Sequence, residues 1–183
     1  MFRLLLTLQG VFFLVGGAWM ALAGYAFVKT PDPARDAVAF LLLFGAMAGL
    51  EALFSRLFPA SFLATEALHR QLGQMLRQLG LSHHQALLLA LASGLGEEVF
   101  FRGALQNALP GGMLAVFLQA LFFAVLHPTP DRKAWAYPLF TLIAGVVFGF
   151  GYYLTGSLVP GILAHYLNNA KSFYQLLEQK SQA

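Results

Sequence analysis

The sequence predicts an all-α fold: a polytopic membrane helix bundle of about six transmembrane helices, with one amphipathic helix lying at the interface. Three observations carry that expectation. Of 183 residues, 58% are hydrophobic and only 10% are charged, far from the balance of a soluble domain. Uncharged or nearly uncharged runs, from Leu4 to Val28 and from Val38 to Phe54, reach or approach the ~20 residues that cross a hydrocarbon core. A backbone surrounded by lipid must satisfy its own N–H and C=O groups, so these crossings are helices rather than strands.

Taken in order, the expected spans are 4–28, 38–58, 84–108, 112–127, 136–155 and 158–176, punctuated by Pro31-Asp32-Pro33 and Pro110-Gly111-Gly112. Between the second and third, Leu68, Leu72, Met75, Leu76 and Leu79 recur at helical spacing, while Arg70, Gln71, Gln74, Arg77 and Gln78 take the opposite face. That stretch is expected to lie along the membrane surface, as a linker or as a guide for substrate. Gly45-x-x-x-Gly49 and Gly145-x-x-x-Gly149 are expected to let helices pack closely. Thr155 to Pro160 reads as the turn into the last span. The chain thus divides into an N-terminal part, 1–83, a core, 84–176, and a short tail, 177–183.

Charge sets the orientation. Counted on alternate sides of six spans, Arg3, Arg56, Arg70, Arg77, Arg132, Lys133, Lys171 and Lys180 fall together against Lys29 and Arg35. Eight against two puts both termini in the cytoplasm. The first segment also has the look of a signal peptide, with Arg3, an apolar stretch and Ala21-Leu22-Ala23, but its length favours an uncleaved anchor. The basic excess records orientation, and no nucleic-acid partner is expected; membrane lipid is the expected surrounding. With no cysteine, the chain has no disulfide, thiolate nucleophile or thiolate metal site, which leaves Glu, His, Asn and Ser for any chemistry.

Polar residues inside apolar spans are expensive and therefore informative. The third span carries Glu97, Glu98 and Arg102, the fourth ends at His127, and the sixth holds His165, Asn168 and Asn169. Glu98 and Arg102 are four apart on one helix face and can pair, whereas Glu97 points about 100° away. Glu97 is left as a carboxylate without a local cation, a group that can serve as a base. A buried network fixing helix packing is the structural alternative. His165 and Asn169 share a face, presenting an imidazole and a carboxamide together, and Phe123 and His127 repeat that spacing. At ~1.5 Å per residue, Glu97, His127, His165 and Asn169 lie at middle to cytoplasmic depth. His69, His83 and His84 fall at interfaces as solvated residues, and Glu51 is expected to snorkel or pair there.

These residues form a known pattern. Glu97-Glu98-Val-Phe-Phe-Arg102, Phe123-Ala-Val-Leu-His127 and His165-Tyr-Leu-Asn-Asn169 resemble the three motifs of the CPBP family of intramembrane proteases, also called the Abi or CAAX-protease family. The resemblance covers about residues 84 to 172. It implies an endopeptidase acting on a membrane-anchored peptide or protein, with Glu97 and His127 binding and activating the attacking water and His165 and Asn169 stabilising the oxyanion. Glu98, Arg102 and Phe123 would support them. No cofactor is expected; a zinc-dependent alternative would draw its ligands from Glu97, His127 and His165, although nothing like H-E-x-x-H is present. Two other readings use the same residues: a non-catalytic binding or immunity protein, and an ion or proton carrier. The expected location is a bacterial or archaeal cell membrane.

Overall fold

A computed structural model describes residues 2–178, so the expected tail is covered only as far as Glu178. Among the described residues every regular element is helical, and the one extended pairing is an isolated bridge between Val28 and Ser157. Three helical stretches are long and apolar enough to cross a membrane, Phe2–Ala23, Pro33–Leu57 and Arg132–Thr155, and Met113–Val125 is a shorter apolar helix. Leu4, Leu14, Leu41, Leu42, Val125 and Leu154 stand exposed on these helices. An apolar coat of that extent suits lipid rather than water, and the chain is an integral membrane protein.

Helix α1 (Phe2–Ala23) stops short of Val28, the limit that hydropathy predicts. Gly24 takes φ 71°, and the Tyr25 N–H turns back to the Met20 carbonyl at 2.8 Å. A left-handed glycine with this bond is a helix stop that apolar composition cannot register. Helix α2 (Pro33–Leu57) begins earlier than expected because its charged first turn is still helical: Asp32 accepts from the Arg35 N–H at 3.0 Å, and Pro33 opens the helix. Helix α3 (Pro59–Gln78) follows at once and contains most of the predicted amphipathic stretch.

Ser82 and Gln85 form a capping box at the start of α4 (His83–Glu97). The chain then continues without a break into a π-helix, Glu98–Leu105, and the short α5 (Gln106–Ala108). This widened stretch was not expected from α-helical spacing, yet π-helical turns concentrate at functional sites. Helix α6 (Met113–Val125), a single 3₁₀ turn at Arg132–Ala134, α7 (Ala136–Thr155) and α8 (Val159–Glu178) complete the fold.

Helix α1 packs against α4 and the π-helix, α4 against α8, α6 against α7, and α2 against both α7 and α8. Close approach sets several of these crossings. A Cβ on Gly16 would lie 2.7 Å from the Phe100 Cα, and one on Gly94 would lie 2.9 Å from the Tyr166 N. Gly145 and Gly149 do bring helices together, since a Cβ on Gly145 would meet Ala120 at 3.0 Å. Gly45 and Gly49 do not: neither has a neighbour within 4 Å, so the close packing expected of that pair is absent within this chain. Their spacing alone could not tell a packed face from an open one.

The loop after α1 is strapped to the loop before α8. Lys29 N–H donates to Gly156 O at 2.9 Å, Leu158 N–H to Phe27 O at 3.1 Å, and the Ser157 hydroxyl to Asp36 at 2.8 Å. Beneath the strap, Met20, Val99, Ala104, Tyr152, Leu158 and Ile162 form one apolar cluster that ties α1, the π-helix, α7 and α8 together. The polar residues Glu97, Glu98, Arg102, His165 and Asn169 sit on α4, the π-helix and α8.

Candidate active site

Helix α4 delivers Glu97 at its last residue and the π-helix delivers Glu98 at its first, so the two adjacent carboxylates face different partners. Glu98 is engaged through one oxygen. Its Oε1 accepts from Arg102 at 3.0 Å and from His165 Nδ1 at 3.0 Å. Arg102 is completely buried, also donates to Gly145 O at 3.3 Å, and lies over the rings of Phe123 at 4.8 Å and Phe148 at 5.4 Å. The expected Glu98–Arg102 pair therefore forms, and it has a third member in His165.

Glu97 is arranged in the opposite way. Oε1 accepts from the Ser93 hydroxyl at 2.9 Å, while Oε2 is buried without a hydrogen-bond partner. That free oxygen lies 3.6 Å from Nε2 of His165 and 3.8 Å from Nε2 of His127. His127 comes from the end of the α6 segment, where its Nδ1 donates to the Phe123 carbonyl at 2.7 Å and its ring lies 4.3 Å from the Phe123 ring.

Donor inventory fixes what these distances mean. A carbonyl oxygen only accepts, so the His127 proton sits on Nδ1; Glu98, held by Arg102, is likewise an acceptor, so His165 also carries a proton on Nδ1. With both rings neutral, their Nε2 lone pairs face a carboxylate oxygen that is itself an acceptor, at 3.6 and 3.8 Å. In that form none of the three can satisfy another. Such a convergence calls for a species with protons to give or for a cation.

Asn169, on α8, approaches from the other side of Glu97: its Nδ2 donates to the Ser93 Oγ at 3.1 Å. Asn169 also lines a cavity of about 390 Å³ between α2, α3, α7 and α8, walled by Phe54, Phe58, Phe62, Tyr137 and Phe140 and rimmed by Glu51 and Lys171. Thus Glu97, His127, His165 and Asn169, predicted on three separate spans, are brought together, with Glu98, Arg102 and Phe123 directly behind them. Asn168 turns back to the Ala164 carbonyl at 2.8 Å. Glu51 pairs with Lys171 at 2.8 Å at the exposed rim, and His83 pairs with Glu178 at 3.2 Å.

Sequence reasoning missed Ser93. Its position one helical turn before Glu97 was the available signal, but a lone serine in an apolar run is ordinary. Also missed were Gln106 and Gln119, whose amides donate to Gly149 O at 2.9 Å and Gly145 O at 2.8 Å. As for the zinc alternative, among the described residues no group of three or more His, Cys, Asp or Glu side chains is arranged to hold a metal ion.

A family model describing the type II CAAX prenyl endopeptidase Rce1-like proteins matches residues 80–171. The chain belongs to that family. The match begins just before α4 and ends within α8, so all the clustered residues of this Rce1-like protein fall inside it, whereas α1, α2 and α3 lie outside. The family is one of membrane proteases, in keeping with a peptide hydrolase. Searches of curated proteins and of solved structures returned no match.

Proposed function

We propose that this protein is an intramembrane endopeptidase that hydrolyses a peptide bond of a membrane-anchored protein or peptide near the cytoplasmic face. The observation that carries this reading is the convergence of a buried Glu97 Oε2, which has no hydrogen-bond partner, with the Nε2 atoms of His165 and His127 at 3.6 and 3.8 Å. Water fits such a site because its two protons serve two of the acceptors and its lone pair remains free to attack.

In the reaction, Glu97 and His127 hold the water and Glu97 takes its proton as the oxygen adds to the scissile carbonyl. The carbonyl π electrons move to oxygen, and an oxyanion forms. Asn169 spends one amide N–H on Ser93 and keeps a second for that oxyanion. His165 joins it as a donor when the ring enters the cycle as the imidazolium, with Nδ1–H held by Glu98; that proton stays on the ring throughout. Collapse breaks the C–N bond, and the proton held by Glu97 passes to the departing amine. A zinc ion would need Glu97, His127 and His165 as its protein ligands, and no step above requires one.

The chemistry also needs a setting that water enters only locally. Helices α1, α2, α6, α7 and α8 and the continuous run from α4 to α5 are read as six crossings, with α3 on the cytoplasmic surface and both termini in the cytoplasm. The cavity beside Asn169 would admit substrate between α2, α3, α7 and α8. In proteoliposomes, the intact protein is expected to cut an internally quenched peptide carrying a prenyl or transmembrane anchor, and Glu97→Gln is expected to cut none. Equal cleavage by the two would remove Glu97 from the mechanism.

A further inference from the structure

We propose that Ser93 is a positioning residue that holds Glu97 and Asn169 in one working geometry. This rests on the reading of Glu97 as the base and Asn169 as the oxyanion donor. Ser93 lies on α4 one turn before Glu97, outside all three sequence motifs, and is buried. Its Oγ lies 2.9 Å from Glu97 Oε1 and 3.1 Å from Asn169 Nδ2.

The direction of both bonds follows from proton count. A serine hydroxyl has one proton to give, and a carboxylate can only accept, so that proton goes to Glu97. The Ser93 oxygen is then an acceptor toward α8, and Asn169 must present its NH₂ rather than its carbonyl. One hydroxyl therefore sets two orientations. Glu97 is held by Oε1, which leaves Oε2 turned to the two imidazoles, and the Asn169 amide is held with a second N–H unspent.

The gap that Ser93 bridges is set by backbone. At the adjacent Gly94 a Cβ would lie 2.9 Å from the Tyr166 N, so α4 and α8 meet here with no room to slide together. Without the hydroxyl, both side chains lose their shared contact and the helices cannot close to replace it. Displacements of about 1 Å at reacting groups cost on the order of 100-fold in rate.

The test is Ser93→Ala, a change that keeps the helix and removes only the hydroxyl, assayed in proteoliposomes with the prenyl-anchored and transmembrane-anchored quenched peptides. The expected result is kcat lowered about 30- to 100-fold, with KM within about twofold and the thermal midpoint in detergent unchanged. Ser93→Thr, compared at equal folded amount, recovers most of the rate. Adding Ser93→Ala to Asn169→Ala costs less than Ser93→Ala costs alone, because the share that acts through Asn169 is already lost while the hold on Glu97 remains to lose. Ser93→Ala that cleaves at the full rate while Glu97→Ala is dead overturns this role and leaves the endopeptidase reading standing. So does a fully additive loss with Asn169→Ala. An intact protein that cuts neither peptide removes that reading and the role of Ser93 together.

Discussion

Glu97 Oε2 faces Nε2 of His165 across 3.6 Å in a buried site, beyond hydrogen-bond reach and with no other partner for the carboxylate oxygen. The neighbouring carboxylate shows the contrast. Glu98 accepts from Arg102 and from His165 through Oε1, so of two adjacent glutamates one binds two side-chain donors and the other leaves Oε2 buried without a partner. The division follows from backbone position: Glu98 opens a π-helix and points at Arg102, while Glu97 ends α4 and points between α6 and α8.

Arg102→Ala is expected to damage folding before chemistry. The guanidinium is wholly buried and neutralises Glu98, so its loss leaves a buried carboxylate unpaired, at a cost of ~3 to 5 kcal/mol. The thermal midpoint in detergent should fall sharply, and yield should fall with it. An unchanged midpoint with lost cleavage would instead assign Arg102 to the reaction.

Gly16 and Gly17 give a matched pair for the docking of α1. A Cβ on Gly16 would press on the Phe100 backbone at 2.7 Å, whereas one on Gly17 meets nothing within 4 Å. Gly16→Ala is expected to destabilise by ~1 to 3 kcal/mol and Gly17→Ala to be neutral or slightly favourable. Equal midpoints for the two variants would show that α1 does not pack as described.

Much of this arrangement is legible in the sequence because intramembrane polar residues are so few. Glu97, Glu98, Arg102, His127, His165 and Asn169 stand out against apolar neighbours, and the i, i+4 spacing already pairs Glu98 with Arg102. Ser93 was not legible, since its importance depends on α8 crossing α4 at Gly94. The π-helix was hidden as well, because its i→i+5 bonds, such as Gln106 N–H to Phe101 O, leave no mark in hydropathy. Gly45 and Gly49 misled for a related reason: a pair of glycines permits contact, but only the tertiary fold decides whether a partner arrives.

Topology can be tested directly because the chain has no cysteine. Gln71→Cys on the exposed face of α3 should react with an impermeant maleimide only from the cytoplasmic side. Gly111→Cys, in the exposed turn before α6, should react only from the opposite side. Labelling of both from one side would contradict the six-crossing arrangement.

Cleavage by the purified protein is expected to persist after dialysis against a strong chelator, with metal below one equivalent by elemental analysis. Activity lost on dialysis and restored by zinc would transfer the water-holding role from the three side chains alone to an ion bound by Glu97, His127 and His165.

The most direct measurement compares membrane-anchored peptides, by mass spectrometry, from cells carrying the intact protein and cells carrying Glu97→Ala at matched expression. A truncated species present only with Glu97 is the expected result, and it would identify the substrate together with the cut. Identical peptide profiles, with any phenotype of the intact protein retained by Glu97→Ala, would contradict proteolysis and leave a binding or immunity protein built on the same fold.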